Sequence, residues 1–127
     1  MRLIGYGPGE LIDRLTILQL KILHRPLEHF KTEALAIEQT LNEQVFDQNG
    51  FFCGFVTELA AVNAEIWAAT DAVRYLRRTD NAITNLNQGL TECKRLLFHL
   101  QTLNDRRAEL INLINVDAGR AAEEEKI

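Results

Sequence analysis

Phe55, Leu59, Val62, Ile66, Ala69, Val73 and Leu76 follow one another at alternating steps of four and three residues, without a break. The mean step is half of a seven-residue heptad, the period that keeps one helix face turned towards a partner in left-handed packing. In a strand, neighbours alternate between two faces, so this row would be split. The spacing therefore predicts a helix over 55–78. A helix with so regular an apolar seam needs other helices to cover it.

Three further amphipathic segments supply that cover. The first spans 9–25, introduced by Pro8 and Gly9, with Glu10 and Asp13 near its positive end. Leu11, Leu15, Leu18 and Ile22 form its main seam, widened by Ile12 and Leu23; Ile17 and Leu20 lie on another side. A helix apolar on two sides is either central in a bundle or shared with a second copy. The second segment spans 27–47 and carries Phe30, Ala34, Ile37, Leu41 and Val45, stopping near Asn49-Gly50. Residues 79–89 read as a polar loop closed by Gly89, and 90–116 as the last helix. Residues 117–127, with Gly119 and Glu123–Glu125, read as a flexible polar tail. The expected architecture is all-α: an antiparallel four-helix bundle with long coiled-coil-like helices, forming a single domain over 1–116.

Charge and cysteine usage narrow the setting. A formal net charge of −4 disfavours a dedicated nucleic-acid binder. The clusters Arg74, Arg77, Arg78 and Lys94, Arg95 read as solvated helix faces. Cys53 and Cys93 form no metal-type spacing and read as free thiols, Cys93 as a small buried hydrophobe. The first nine residues lack the apolar core of a signal peptide, and no segment has the roughly 20 apolar residues of a membrane span. A cytoplasmic protein without nucleic-acid or membrane partners is expected.

Motifs for chemistry are sparse. Gly5-x-Gly7-x-Gly9 resembles a phosphate-binding turn but lacks the strands such a turn requires, and reads as an arm leading into a helix. Glu10-x-x-Asp13 is half of the paired carboxylate set that holds magnesium in all-α nucleotide pyrophosphohydrolases, and no Glu-x-x-Glu supplies the other half. His24, His29 and His99 make no metal-type pair. The chain has no serine, and Cys93 and His99 fall on different sides of one helix. No catalytic residue, metal or cofactor is therefore assigned.

The polar exceptions on apolar faces are more informative. Leu90, Cys93, Leu97, Leu100, Asn104, Arg107, Ile111 and Ile114 share a helical stripe, yet Asn104 and Arg107 are polar. A guanidinium on a core face must find a partner or reach water. Asn63, Trp67, Asp71 and Arg74 flank the seam of the third helix, and Asp13 lies beside the minor apolar face of the first. Together these residues form a candidate polar layer: Asp13, Asn63, Trp67, Asp71, Arg74, Asn104 and Arg107. One reading is a closed network that fixes helix register or a dimer interface. The other is a site for a small polar or anionic ligand, held by Arg107 and Arg74 against a Trp67 wall. The leading expectation is a non-enzymatic interaction or scaffold module acting as a homodimer, with a further protein partner possible.

The stretch Gly9-Glu10-Leu11-Ile12-Asp13-Arg14-Leu15-Thr16-Ile17-Leu18, ending in Lys21, resembles the opening of a family of small bacterial all-helical proteins of no established activity. That family reads GELIDKLTILxxK there, then Val-Asn-x-x-Leu-Trp and Asn-Asp-x-Arg-Ala. The counterparts here are Val62-Asn63 with Ile66-Trp67, and Asn104-Asp105-Arg106-Arg107-Ala108. Arg14 replaces Lys with its charge kept, and Gln19 stands where an acidic residue is common. The resemblance covers roughly 9–115. It implies a shared role, structural or ligand-binding, for positions that periodicity also selects.

Overall fold

A computed structural model describes residues 7–43, 53–78 and 86–125. Four helices follow in order: α1 (Pro8–His24), α2 (Glu28–Glu43), α3 (Cys53–Arg78) and α4 (Leu86–Glu125). They pack as an all-α bundle, and no strand occurs among the described residues.

α1 is the central element. It touches α2, α3 and α4, while α2 packs chiefly on α1. The two apolar sides of α1 explain this. Leu11 and Leu18, with half-buried Leu15 and Ile22, meet Ala34 and Ile37 of α2. Ile12, expected in that same seam, instead turns the other way and joins Leu59 and Val62 of α3 with Leu103, Leu110 and Ile114 of α4; Ile17 and Leu20 of the expected second side are half-buried, and Leu23 is exposed. Leu11, Ile37, Leu59, Leu110 and Ile114 are the largest side chains fully withdrawn from solvent. Each contributes about 1.5–3 kcal/mol of apolar burial. The heptad row of α3 is the seam expected, with Leu59, Val62 and Ala69 buried and the others half-buried.

α4 departs from expectation in extent and in face. Its 40 residues make a rod of about 60 Å. It begins before Gly89, which therefore lies inside a helix rather than closing a loop. It also continues through 117–125, where a flexible tail was expected, and Ala118 packs against the core. Alanine and glutamate are strong helix formers, which favours this continuation. The buried residues of α4 are Leu96, Leu103, Leu110 and Ile114. Leu90 and Leu97 are exposed, and Cys93 is half-buried rather than buried. The true row steps 96, 100, 103, 107, 110, 114; it shares Leu100, Arg107 and Ile114 with the expected stripe, Ile111 packs at its edge, and Leu90, Leu97 and Asn104 are exposed. Cys53, Arg77 and Arg78 fall where no side-chain surroundings are described. The second helix ends at Glu43 among the described residues; Val45 and the Asn49-Gly50 turn lie outside them, as does the arm over 1–6.

The start of α1 is finished by α4. Gly7 occupies the cap position without a side-chain acceptor, and Pro8 opens the helix. The free Gly9 N–H instead donates to Asn115 Oδ1 at 2.7 Å. Asn115 Nδ2 donates to both Glu10 carboxylate oxygens, at 3.1 and 3.0 Å. This capping from a distant helix requires close backbone approach. A Cβ on Gly9 would lie 2.3 Å from the Ile111 carbonyl oxygen.

Gly9→Ala should therefore cost about 2–3 kcal/mol in urea-induced unfolding, as an overpacked helix contact does. Gly54→Ala is the control, because nothing lies within 4 Å of its Cβ position. It should be neutral or stabilising by up to about 1 kcal/mol.

Candidate functional site

Asp13, Thr16, Asn63 and Arg107 meet where α1, α3 and α4 converge. Asp13 is three residues before Thr16 and one after Ile12, so its carboxylate leaves the buried side of α1. Its side chain is 9% exposed, against 31% for Arg107. The pairing is bidentate: Arg107 Nε donates to Oδ1 at 2.8 Å and Nη2 to Oδ2 at 2.5 Å. This fork geometry is what a guanidinium provides and an ammonium does not. The bond to Asp13 raises the Arg107 pKa above its ordinary value, against the opposing effect of partial burial.

Asn63 completes the network from α3. Its Nδ2 donates to Asp13 Oδ1 at 2.9 Å and to Thr16 Oγ1 at 2.7 Å. Both amide hydrogens are thereby used, and a flipped amide would set its oxygen against two acceptors. The Thr16 hydroxyl donates to the Asp13 backbone carbonyl at 2.7 Å. A buried carboxylate thus receives three donations from two other helices.

Beside this network lies a cleft of about 250 Å³. Ile17 and Leu20 of α1 and Ile66 of α3 give it apolar walls. Asn63 and Arg107 connect it to the buried network, while Lys21, Asp71 and Arg74 add charge. Trp67 also lines it, and the His24 ring stacks on the indole at 4.9 Å. His24 is held by its Nδ1–H, which donates to the Leu20 carbonyl at 2.8 Å. The indole N–H of Trp67 is buried with no acceptor among the described residues. Arg107 differs: Asp13 engages its Nε and Nη2, and Nη1 belongs to a side chain that is 31% exposed.

The seven expected residues thus separate into three groups. Asp13, Asn63 and Arg107 form the network, and Trp67 lines the adjoining cleft. Asp71 and Arg74 also line the cleft, but they are exposed and pair with each other at 3.6 Å. α1 ends at His24, so nothing from α1 covers that end of α3. Asn104 does not belong. It is exposed and donates to its own helix at the Leu100 carbonyl, 3.0 Å away, because the buried row passes through Leu103. Thr16, Lys21 and Thr70 were missed. Thr16 shares the face of Asp13 at i+3, which was the available signal.

Other ion pairs are peripheral. Arg106 donates twice to Glu58, both at 2.8 Å, tying α4 to α3 at a half-exposed position. Arg14 pairs with Glu33 between α1 and α2, and Arg95 with Glu92 within α4. Exposed pairs of this kind add little, about 0–1 kcal/mol. Among the described residues, no group of three or more His, Cys, Asp or Glu side chains lies together as a metal site. No family model matches the chain, and comparison with curated proteins and solved structures returned no match either.

Arg107→Leu should lower stability by about 2–3 kcal/mol by thermal or urea unfolding. That lies between the cost of breaking an exposed pair and a fully buried one. Arg107→Lys should recover less than half of the loss, because an ammonium cannot reproduce the two parallel bonds.

Proposed function

We propose that this chain is a binding module that takes a small polar or anionic ligand in the cleft between α1 and α3. One observation carries the reading: Arg107 is only partly consumed by its ion pair. The other end of the guanidinium faces a cleft with room for an acceptor. Here Nη1 keeps its hydrogens without an acceptor among the described residues, and Arg107 lines an open cleft. The Asp13 pair then serves as the mount that fixes the guanidinium, because a pre-positioned donor binds with less loss of rotamer freedom. Apolar walls with a few placed polar groups are the usual make-up of a small-molecule site.

A second reading, self-association as a homodimer, is favoured by a different observation. Tyr75 of α3 and Leu90, Leu97 and Phe98 of α4 are large apolar side chains exposed on the surface. Two copies related by a twofold axis bury the same apolar row against itself. The two readings are compatible, since the row is made by residues that do not line the cleft.

Trp67 is the only tryptophan, so its indole N–H gives one assignable signal at the site. Benzoate, benzamide and benzamidinium are three probes of one shape and different charge. At millimolar concentration, at least one should shift the Trp67 indole N–H and the Arg107 Nε–H resonances. Thr70→Phe, which fills the cleft, should abolish the shift. Resonances unmoved by all three probes would overturn the binding reading. For the dimer, light scattering on the eluted protein should give twice the chain mass, and Leu97→Glu with Phe98→Glu should give the monomer. A wild-type monomer at micromolar concentration excludes that reading.

A further inference from the structure

Resting on the binding reading above, we infer that the ligand class is a small organic anion: one carboxylate or phosphate head on a compact apolar body. Charge gives the sign. Among the described residues, Lys21, Arg74 and Arg107 line the cleft against a single carboxylate there, Asp71. Counting Asp13, which holds Arg107 from outside the lining set, three cations still face two carboxylates. One positive charge is left over in a partly desolvated recess, where an anion is favoured and a cation opposed. Donors outnumber acceptors as well. Asp13 engages only Nε and Nη2 of Arg107, which leaves Nη1 for an acceptor in the cleft; the Trp67 N–H is withdrawn from solvent and is not counted. An anionic head brings acceptors and no obligatory donor.

The walls give the body. Ile17, Leu20, Ile66 and the face of Trp67 offer no polar atoms to a sugar or a polyol. A hydrophilic ligand would lose its water there without replacement, at about 1–3 kcal/mol for each unpaired group. The size sets the upper limit. About 250 Å³ falls below the range of about 300–1,000 Å³ usual for ligand sites, which suits a body of one ring. The remaining polar groups divide the cleft. Arg107 and Asn63 sit together at the buried network, whereas Lys21 and Arg74 belong to the later turns of α1 and α3. The anionic head is therefore placed at Arg107, with the apolar body against Ile66, Leu20 and Trp67.

The test is a titration of the intact chain read by Trp67 fluorescence and by the Arg107 Nε–H resonance. Benzoate or phenyl phosphate should bind, with benzamide at least about tenfold weaker and benzamidinium weaker still. The tighter of the two anions assigns the head group as carboxylate or phosphate. Lys21→Gln and Arg74→Gln lie away from the folded network, and each should weaken the anions severalfold while leaving benzamide unchanged. Added salt should weaken the anions as well. Benzamide or benzamidinium binding as tightly as the anions would overturn the anion class and leave the cleft reading standing. Acetate binding as tightly as benzoate would overturn the apolar body. Silence from all the probes would overturn the class together with the binding reading beneath it.

Discussion

A carboxylate buried at 9% side-chain exposure is the constraint around which the bundle is arranged. A buried carboxylate is costly unless it is paired and hydrogen-bonded, so the fold brings donors to Asp13 from other helices. α4 brings a guanidinium and α3 brings an amide, so three helices are fixed in register by one side chain. Apolar packing around Leu59, Leu110 and Ile114 supplies the bulk of the burial, but it tolerates sliding. A bidentate pair does not, because a shift of one residue would carry Arg107 out of reach. Asn115 adds a second fixed point nearer the start of α1, through Gly9 and Glu10. The two contacts together set both the distance and the axial position of α1 on α4.

The cleft follows from unequal helix lengths. α1 has 17 residues and α3 has 26, so α1 runs out while α3 continues. Residues of α3 that face α1 are buried at Asn63, half-buried at Trp67 and exposed by Asp71 and Arg74. The same stripe thus passes from structural network to open site within three turns. His24, at the last turn of α1, stacks on Trp67 and marks the boundary.

Much of this was readable before any coordinates. The heptads of α3 were legible because seven apolar residues in one phase leave little ambiguity. The two-sided α1 was legible as a choice between centrality and sharing, and its inward contacts show that it is central. Arg107 is legible because a charge within an apolar row is conspicuous, yet three of the eight residues in its expected row face solvent. Two helical rows displaced by one residue share members, and Leu90, Leu97 and Asn104 belong to the row that faces solvent. Thr16 carries only a weak signal, its place at i+3 from Asp13, since a helical threonine commonly bonds only its own backbone. Periodicity does not mark Gly89 or the stretch 117–125 as helical: glycine is a poor helix former, and the Ala and Glu residues of 117–125 offer propensity without a long apolar stripe.

The claim on which the rest stands is that Asp13 and Arg107 act as one unit. A double-mutant cycle with Asp13→Asn and Arg107→Leu, read by urea unfolding, measures that directly. The structure predicts a coupling energy of about 2 kcal/mol, with the double variant little less stable than either single one. A coupling below about 0.5 kcal/mol would mean the two side chains contribute independently, and would contradict the account.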